Sequence, residues 1–234
     1  MSLMQTLFDK IPENRAKNAF RFWVAESLLV PQFLRQTCPL VGYEYLRKIQ
    51  PSDVIVDAGA FTGDYTVYAS RKVGPTGRVL AFEPDPRNLA RLRANLRGEI
   101  DNVTIIEKGL WNSEGELTFR AGTEGFTSGA ACISGAVAGQ DLTVKVTRLD
   151  SELEKLGISK INVLKMDIEG AELEALKGCE QTLKNSQAYI CIASYHILDG
   201  ENTSKRVEKQ LREWGYNTTS AFPCHLTAFG WKPS

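Results

Sequence analysis

The sequence predicts an α/β fold in which helices cover both faces of a mostly parallel sheet. From Pro51 onward, short apolar runs alternate with segments of helical periodicity, which is typical of strands joined by crossover helices. Near the end of the chain, two alternating segments flank Pro223 and predict an antiparallel hairpin. We therefore expect a single domain whose sheet has a parallel centre and an antiparallel edge.

The individual elements follow from local patterns along the chain. Asp85 and Pro86 mark a helix start, because aspartate caps a helix N-terminus and proline fits its first turn. Segments 114–120 and 141–149 alternate like exposed strands, and the Gly-, Ala- and Ser-rich stretch 121–140 between them predicts an insertion. We predict buried strands over 54–58, 77–84, 102–110, 161–167 and 188–195, and helices over 64–74, 85–98, 149–157, 170–183 and 203–215.

The first 50 residues predict a helical cap ahead of the sheet domain, which covers 51–234. Residues 14–36 carry apolar side chains at helical spacing, and residues 43–49 predict a second helical piece. Two roles fit such a segment: a cap that packs on the main domain, or a wall of an acceptor pocket.

Composition narrows the partners and the compartment. Lys and Arg together number 28, as do Asp and Glu, so the zero net charge argues against bulk attraction to nucleic acid or to an anionic membrane. The five cysteines have no C-x-x-C spacing, which indicates free thiols and no structural metal site. We expect a cytoplasmic protein, with a homodimer possible, that binds no nucleic acid, membrane or metal.

Three acids end predicted strands of the parallel sheet: Asp57, Glu83 and Asp167. Ligands bind open parallel sheets at the carboxyl ends of the strands. The three acids therefore predict a site at this edge.

The turn after the first strand predicts the kind of ligand. Gly59 and Gly63 form G-x-x-x-G, whereas a dinucleotide turn has G-x-G-x-x-G. Asp57 at the mouth of the turn repels phosphate and suits a ligand with an ammonium or sulfonium group. Glu83, at the end of the second strand, is placed to accept hydrogen bonds from ribose hydroxyls. These features favour a cationic nucleoside.

Four segments together resemble a known family. VDAGAFTGDYT, GRVLAFEPDP, VTRLDSEL and LKMDIEGAELEALKG resemble the FkbM family of S-adenosylmethionine-dependent methyltransferases, in order and spacing over roughly residues 50 to 200. The resemblance implies a Rossmann-like sheet of seven strands, S-adenosylmethionine as cofactor with S-adenosylhomocysteine as product, and methylation of a hydroxyl on a small-molecule or sugar-like acceptor.

The resemblance also implies roles for individual residues. The catalytic candidates are Asp167, Glu169 and His196; this sequence has Ser194 where the family often has an acid two places before the histidine. Alternative functions are a nicotinamide-dependent oxidoreductase and a non-catalytic nucleoside-binding protein. The implied cofactor-binding residues are Asp57, Gly59, Ala60, Thr62, Gly63, Tyr65, Glu83, Pro84, Lys108, Gly109, Leu110 and Asp167.

Overall fold

The computed structural model describes residues 42–97, 101–122, 139–222 and 225–233. The strands are β1 Val54–Ala58, β2 Arg78–Phe82, β3 Val103–Ile106, β4 Gly109–Leu110, β5 Gly115–Gly122, β6 Gly139–Thr147, β7 Val163–Met166, β8 Tyr189–Ala193, β9 Ile197–Leu198, β10 Glu201–Asn202, β11 Asn217–Ala221 and β12 Thr227–Trp231. The helices are α1 Asp64–Val73, α2 Pro86–Leu96, α3 Leu149–Lys155, α4 Glu172–Lys177, α5 Glu180–Lys184 and α6 Ser204–Glu213.

Seven strands form the main sheet, in the order β11-β12-β8-β7-β1-β2-β3. Strands β3, β2, β1, β7 and β8 are parallel neighbours, and β12 runs antiparallel to both β8 and β11. The predicted fold class and the antiparallel C-terminal hairpin are therefore confirmed.

The register of the central strands positions the site. Ala58 at the end of β1 pairs with Phe82 of β2 on one side and with Met166 of β7 on the other. The residues that follow these ends, among them Glu83 and Asp167, therefore emerge at one edge of the sheet.

The central strands are buried on both faces, which is why they are almost entirely apolar. Alternate residues enter two different core clusters, one on each face of the sheet. One cluster takes Val56, Leu80, Leu164 and Ile190, and the other takes Ile55, Val79, Val163 and Tyr189.

The prediction of a helical piece over residues 43–49 is wrong, because this segment consists of turns and bends. Side chains take up backbone N–H groups that a helix would use. The N–H of Ile49 donates to Glu44 Oε2 at 3.3 Å, and that of Gln50 donates to Asp53 Oδ2 at 2.8 Å.

Two predicted elements are each divided in the structure. Segment 102–110 forms β3 in the main sheet and β4, which pairs with β6 in a separate three-stranded sheet. Segment 170–183 forms α4 and α5, because the carbonyl of Gly178 leaves the helical pattern and accepts the N–H of Asp150 at 3.1 Å. The Asp150 carboxylate accepts the N–H of Thr182 at 2.9 Å in the first turn of α5.

Some predictions fall on residues outside the described part of the chain: the helix over 14–36, most of the 121–140 insertion and Pro223. The two strands predicted at the ends of that insertion are present as β5 and β6, and they pair antiparallel. In the described part, Cys179 and Cys191 are buried free thiols, and no helix is long and apolar enough to cross a membrane.

Candidate active site

The turn between β1 and α1 packs directly on the end of β7. Gly59 has φ +78°, and a β-carbon there would lie 1.9 Å from the carbonyl oxygen of Asp167, so only glycine fits. The N–H groups of Gly59 and Ala60 both donate to the carbonyl of Phe82 at 3.0 Å. These contacts join the turn to β2 and β7, and they place its backbone beside the predicted methyl-transfer position.

Asp57 lies beneath this turn and is completely buried. Its Oδ2 accepts the hydroxyl of Thr66 at 2.6 Å, and its Oδ1 lies 2.9 Å from the ammonium of Lys165. Sequence reasoning placed Asp57 near the amino group of a ligand, and the structure pairs it with an ammonium of the chain itself. Lys165 was missed, although a single charged residue within the apolar run INVLKM was a signal.

Glu83 follows β2, and its carboxylate joins the glycine turn to the segment that begins α2. Its Oε2 accepts the N–H of Phe61 in the glycine turn at 2.8 Å, and its Oε1 accepts the N–H of Asp85 at 2.9 Å and the side-chain amide of Asn88 at 3.2 Å. Burial raises the pKa of Glu83 to about 7, against the lowering effect of these hydrogen bonds. The carboxylate is therefore held in a fixed orientation and gains or loses its proton near neutral pH.

Two of the residues implied for the adenine wall, Pro84 and Gly109, lie close together in the structure. A β-carbon on Gly109 would lie 3.6 Å from Cγ of Pro84, so these two residues are in close proximity, and Leu110 beside them is buried. Lys108 instead directs its ammonium to Oε1 of Glu152 on α3, at 2.7 Å. Pro84 and Gly109 thus lie together, as expected of residues beside adenine, while the Lys108 head group is paired with Glu152.

The remaining residues of the predicted cofactor set lie within the glycine turn and in the first turn of α1. Ala60, Thr62 and Tyr65 are buried, and the carbonyl of Thr62 accepts the side-chain amide of Asn95 at 2.8 Å. The ring of Tyr65 packs edge-on against Tyr43, with 5.5 Å between the centroids. Gly63 has φ +93° at the start of α1, which only glycine adopts readily.

Asp167 at the end of β7 receives two tyrosine hydroxyls. Tyr43 donates to its Oδ2 at 3.1 Å and Tyr195 donates to its Oδ1 at 3.2 Å. The Asp167 side chain is 21% exposed. It is therefore oriented by the protein and still accessible to a ligand.

His196 lies between two glutamates. Its Nε2 is 3.2 Å from Oε2 of Glu169 and its Nδ1 is 3.1 Å from Oε1 of Glu172, which is completely buried. Burial lowers the pKa of His196, but the two glutamates outweigh burial and raise it to about 10. His196 is therefore an imidazolium at neutral pH and cannot accept a proton there.

His196 also belongs to a group of three residues that could hold a metal ion, although the sequence predicts no metal site. One atom from each of Asp167, Glu169 and His196 could reach a common cation, since these atoms lie within 4.8 Å of one another. In the structure, the imidazolium itself supplies the positive charge between the acids, and both of its ring nitrogens face carboxylates.

His225 joins the site from the segment between β11 and β12. Its Nε2 lies 3.0 Å from the hydroxyl of Tyr43, and its ring packs against Tyr195 at 4.8 Å between centroids. Burial lowers the pKa of His225, so it is neutral where His196 is charged. No local sequence pattern connects His225 to Tyr43, 182 residues away.

Among the residues that the structure describes, acids outnumber cations around the end of β7, so this edge favours a positively charged ligand. The acids are Asp57, Asp167, Glu169 and Glu172, and the cations are Lys165 and His196.

Comparison with known proteins identifies the family. The family model of the methyltransferase FkbM domain matches residues 57–218, which include the glycine turn, Glu83, Asp167 and His196. This chain belongs to the FkbM methyltransferase family. The family resemblance predicted from the four sequence segments is thus confirmed.

Relatives of this FkbM-family chain include two named methyltransferases. It is 29% identical over 160 residues to hexuronic acid methyltransferase AglP of Haloferax volcanii, a match that covers 68% of this chain and 63% of AglP. It is 25% identical over 167 residues to 2-O-methyltransferase NoeI of Sinorhizobium fredii, covering 65% of this chain and 68% of NoeI. The chain therefore matches about two thirds of the length of each.

Solved structures share the fold. The FkbM methyltransferase of Methylobacillus flagellatus superposes with a TM-score of 0.57 at 18% identity, covering 97% of this chain and 57% of that one. A methyltransferase of Geobacter sulfurreducens superposes with a TM-score of 0.53 at 19% identity, covering 99% and 97%. At these identities the likeness shows the Rossmann-like methyltransferase fold alone.

Proposed function

We propose that this chain is an S-adenosylmethionine-dependent O-methyltransferase that methylates a hydroxyl of a small, sugar-like acceptor. The proposal rests on family membership and on the acid-rich edge of the sheet. The alternatives were a nicotinamide-dependent oxidoreductase and a nucleoside-binding protein without catalytic activity.

One observation favours S-adenosylmethionine over a dinucleotide. The carboxylate of Glu83 occupies the N–H of Phe61 in the glycine turn, where a dinucleotide needs backbone N–H groups for its pyrophosphate. An acid at the end of β2 can accept ribose hydroxyls in either class of ligand, so it is the occupied N–H of Phe61, and not the acid by itself, that disfavours a pyrophosphate. A nucleoside with a cationic substituent satisfies both this carboxylate and the excess of acids at the edge.

The residues present fit S-adenosylmethionine. Glu83 would accept the ribose hydroxyls, Pro84 and Leu110 would flank adenine, and Asp167 would face the methionine portion. When bound, this cofactor supplies a methyl group attached to a positively charged sulfur, and the sulfur leaves as an acceptor oxygen attacks the methyl carbon in line.

Asp167 lies at the end of β7, where the methyl donor and the acceptor hydroxyl would meet. Its carboxylate is oriented by Tyr43 and Tyr195 and is partly accessible. His196, which carries a proton at neutral pH, instead keeps Glu169 and Glu172 together beside it. Alignment of the acceptor and removal of its proton are the two tasks that methyl transfer to oxygen requires of the protein.

The sugar-like acceptor is proposed by analogy with relatives. AglP is a hexuronic acid methyltransferase and NoeI a 2-O-methyltransferase by name. The zero net charge of the chain supports a small-molecule acceptor over a nucleic acid.

Calorimetry with S-adenosylhomocysteine and NAD tests the cofactor assignment. We expect S-adenosylhomocysteine to bind and NAD not to bind. Glu83→Gln should weaken binding at least about tenfold, because one N–H acceptor of the turn becomes a donor. Glu116→Gln is the matched control, because Glu116 is exposed on β5. Binding of NAD alone, or equal affinity in Glu83→Gln and wild type, would contradict the assignment.

Methyl transfer is tested with radiolabelled S-adenosylmethionine and a panel of hexuronic acids, neutral hexoses and their glycosides. We expect label in an ether-linked methyl group of a panel member, identified by mass spectrometry. Label in a nucleic acid or protein control, with none in any sugar, would contradict the proposed acceptor class.

A further inference from the structure

Lys165 is a buried charge in the centre of the sheet, and the proposed methyl transfer does not use it. It lies in β7 between Leu164 and Met166, which are completely buried, and is itself only 5% exposed. An ammonium taken out of water is strongly destabilising unless it is paired and hydrogen-bonded. Its partners therefore indicate why it is there.

Three oxygen atoms surround the ammonium of Lys165, which donates hydrogen bonds to two backbone carbonyls and forms an ion pair with Asp57. Nζ lies 2.9 Å from Oδ1 of Asp57, 2.8 Å from the carbonyl oxygen of Gly59 and 3.4 Å from that of Ala58. The rings of Tyr43 and Tyr65 enclose it, with centroids 5.7 and 5.8 Å from Nζ. All of these partners belong to β1, to the glycine turn or to the walls of the site.

Lys165 is charged in this position. Burial lowers its pKa, but the negative charges of Asp57 and Asp167 outweigh burial, and the pKa lies above its ordinary value. The register of the sheet enforces the pairing, because Asp57 and Lys165 are directly opposite on β1 and β7.

The pairing leaves Asp57 little capacity for a ligand. Asp57 is completely buried, with one oxygen on Thr66 and the other on Lys165. Asp167, in contrast, is partly exposed, and its backbone carbonyl abuts Gly59. Asp167 Oδ1 lies 3.9 Å from His196 Nε2, a looser contact than the 2.9 Å between Asp57 and Lys165, so of these two acids Asp167 is the one open to a ligand.

We propose that Lys165 is a positioning residue of the cofactor site, because its ion pair with Asp57 and its hydrogen bond to Gly59 fix the glycine turn. The ammonium of the methyl donor is then bound by Asp167 instead of Asp57. The inference rests on the proposed function, since it assigns contacts of the same cofactor. It also reverses the role that sequence reasoning gave Asp57, whose ammonium partner is internal.

Two ligands separate ammonium recognition from nucleoside recognition. S-adenosylhomocysteine carries the amino acid group, whereas 5′-deoxy-5′-methylthioadenosine keeps the adenosine and the thioether but lacks the α-ammonium and the carboxylate of the amino acid. Calorimetry of both ligands on wild type, Asp167→Asn and the double variant Asp57→Asn/Lys165→Met locates the acid that binds the ammonium. The double variant removes both buried charges together, which avoids leaving either one unpaired.

We expect Asp167→Asn to lose at least about tenfold in affinity for S-adenosylhomocysteine, the value of a charge-assisted hydrogen bond, with methylthioadenosine affinity unchanged. The double variant should keep its preference for S-adenosylhomocysteine over methylthioadenosine. A purely structural role of Asp167 would lower both affinities equally, and that result would overturn the proposal.

The opposite pattern would also overturn it: the double variant loses its preference for S-adenosylhomocysteine while Asp167→Asn retains it. If the double variant does not fold, as judged by circular dichroism, the Asp167→Asn arm decides by itself. A wild-type chain that binds neither ligand would refute the proposed function, which is a different outcome from binding with the ammonium on Asp57.

Discussion

Replacement of His196 by glutamine removes the cation that holds two acids together beside the site. His196 contacts Glu169 through Nε2 and the completely buried Glu172 through Nδ1. In His196→Gln, the buried Glu172 carboxylate loses its imidazolium partner and keeps the backbone N–H groups of Ile168 and Gly170. We expect a large loss of stability at neutral pH, because a broken buried pair costs about 3–5 kcal/mol.

The pKa of His196 gives an independent magnitude. It is raised from its ordinary 6.5 to about 10, which corresponds to at most about 5 kcal/mol of stability. Glu169 is 34% exposed, so solvent screens part of this, and about 3 kcal/mol is the expected contribution. For a chain of this size, that loss lowers the melting temperature by about 10 °C.

The sign of the pH dependence follows from the raised pKa. The folded state binds the proton more tightly than the unfolded state, so the stabilisation is complete below pH 6.5 and is lost as the pH rises from 6.5 through about 10. Urea unfolding followed by circular dichroism across this range measures it, as the difference between wild type and His196→Gln.

The second histidine of the chain is the matched control. His225→Gln should keep the pH dependence between 6.5 and 10, because the pKa of His225 is lowered and lies below that range. A wild-type stability that is no more pH-dependent than that of His196→Gln would refute the assignment of His196 as a buried imidazolium.

Three further predictions follow from other contacts of the site. Glu83, with a pKa of about 7, should ionise when ribose hydroxyls donate to it, so S-adenosylhomocysteine binding should release about 0.9 proton at pH 6 and about 0.1 at pH 8. Calorimetry in buffers of different ionisation enthalpy measures the number of protons released. Equal release at both pH values would contradict this prediction. Gly59→Ala places a β-carbon 1.9 Å from the carbonyl oxygen of Asp167, so a loss of about 3 kcal/mol or more in urea unfolding is expected, and a stability equal to wild type would show that the turn is not packed as described. Tyr43→Phe removes the hydrogen bonds to Asp167 and His225 and should cost about 1–3 kcal/mol in the same assay, whereas an unchanged midpoint would exclude both hydrogen bonds.

Local sequence patterns predicted the sheet and the acids at its edge. Apolar strand runs with an acid at their ends place Asp57, Glu83 and Asp167 together, because parallel strands end at one edge. The helix N-cap at Asp85 was also predicted from the sequence, as an aspartate before a proline. In the structure the Asp85 side chain accepts the N–H of Arg87 in the first turn of α2.

The partners of those acids could not be predicted, because they depend on register and on distant segments. Lys165 meets Asp57 only because β1 and β7 pair in one register. Tyr43 reaches Asp167 across 124 residues of sequence, from a segment whose turns were predicted as helix. Periodicity identifies which face of an element is buried, but it does not identify the group on the opposite element.

The most direct test of the account is a crystal structure of the chain with S-adenosylhomocysteine. We predict the ligand at the carboxyl edge of the sheet, with its ribose hydroxyls on Glu83, its ammonium on Asp167 and the ion pair between Lys165 and Asp57 intact. A ligand bound away from this edge would contradict the proposed function, and an ammonium on Asp57 with Lys165 displaced would contradict the assignment of the positioning residue.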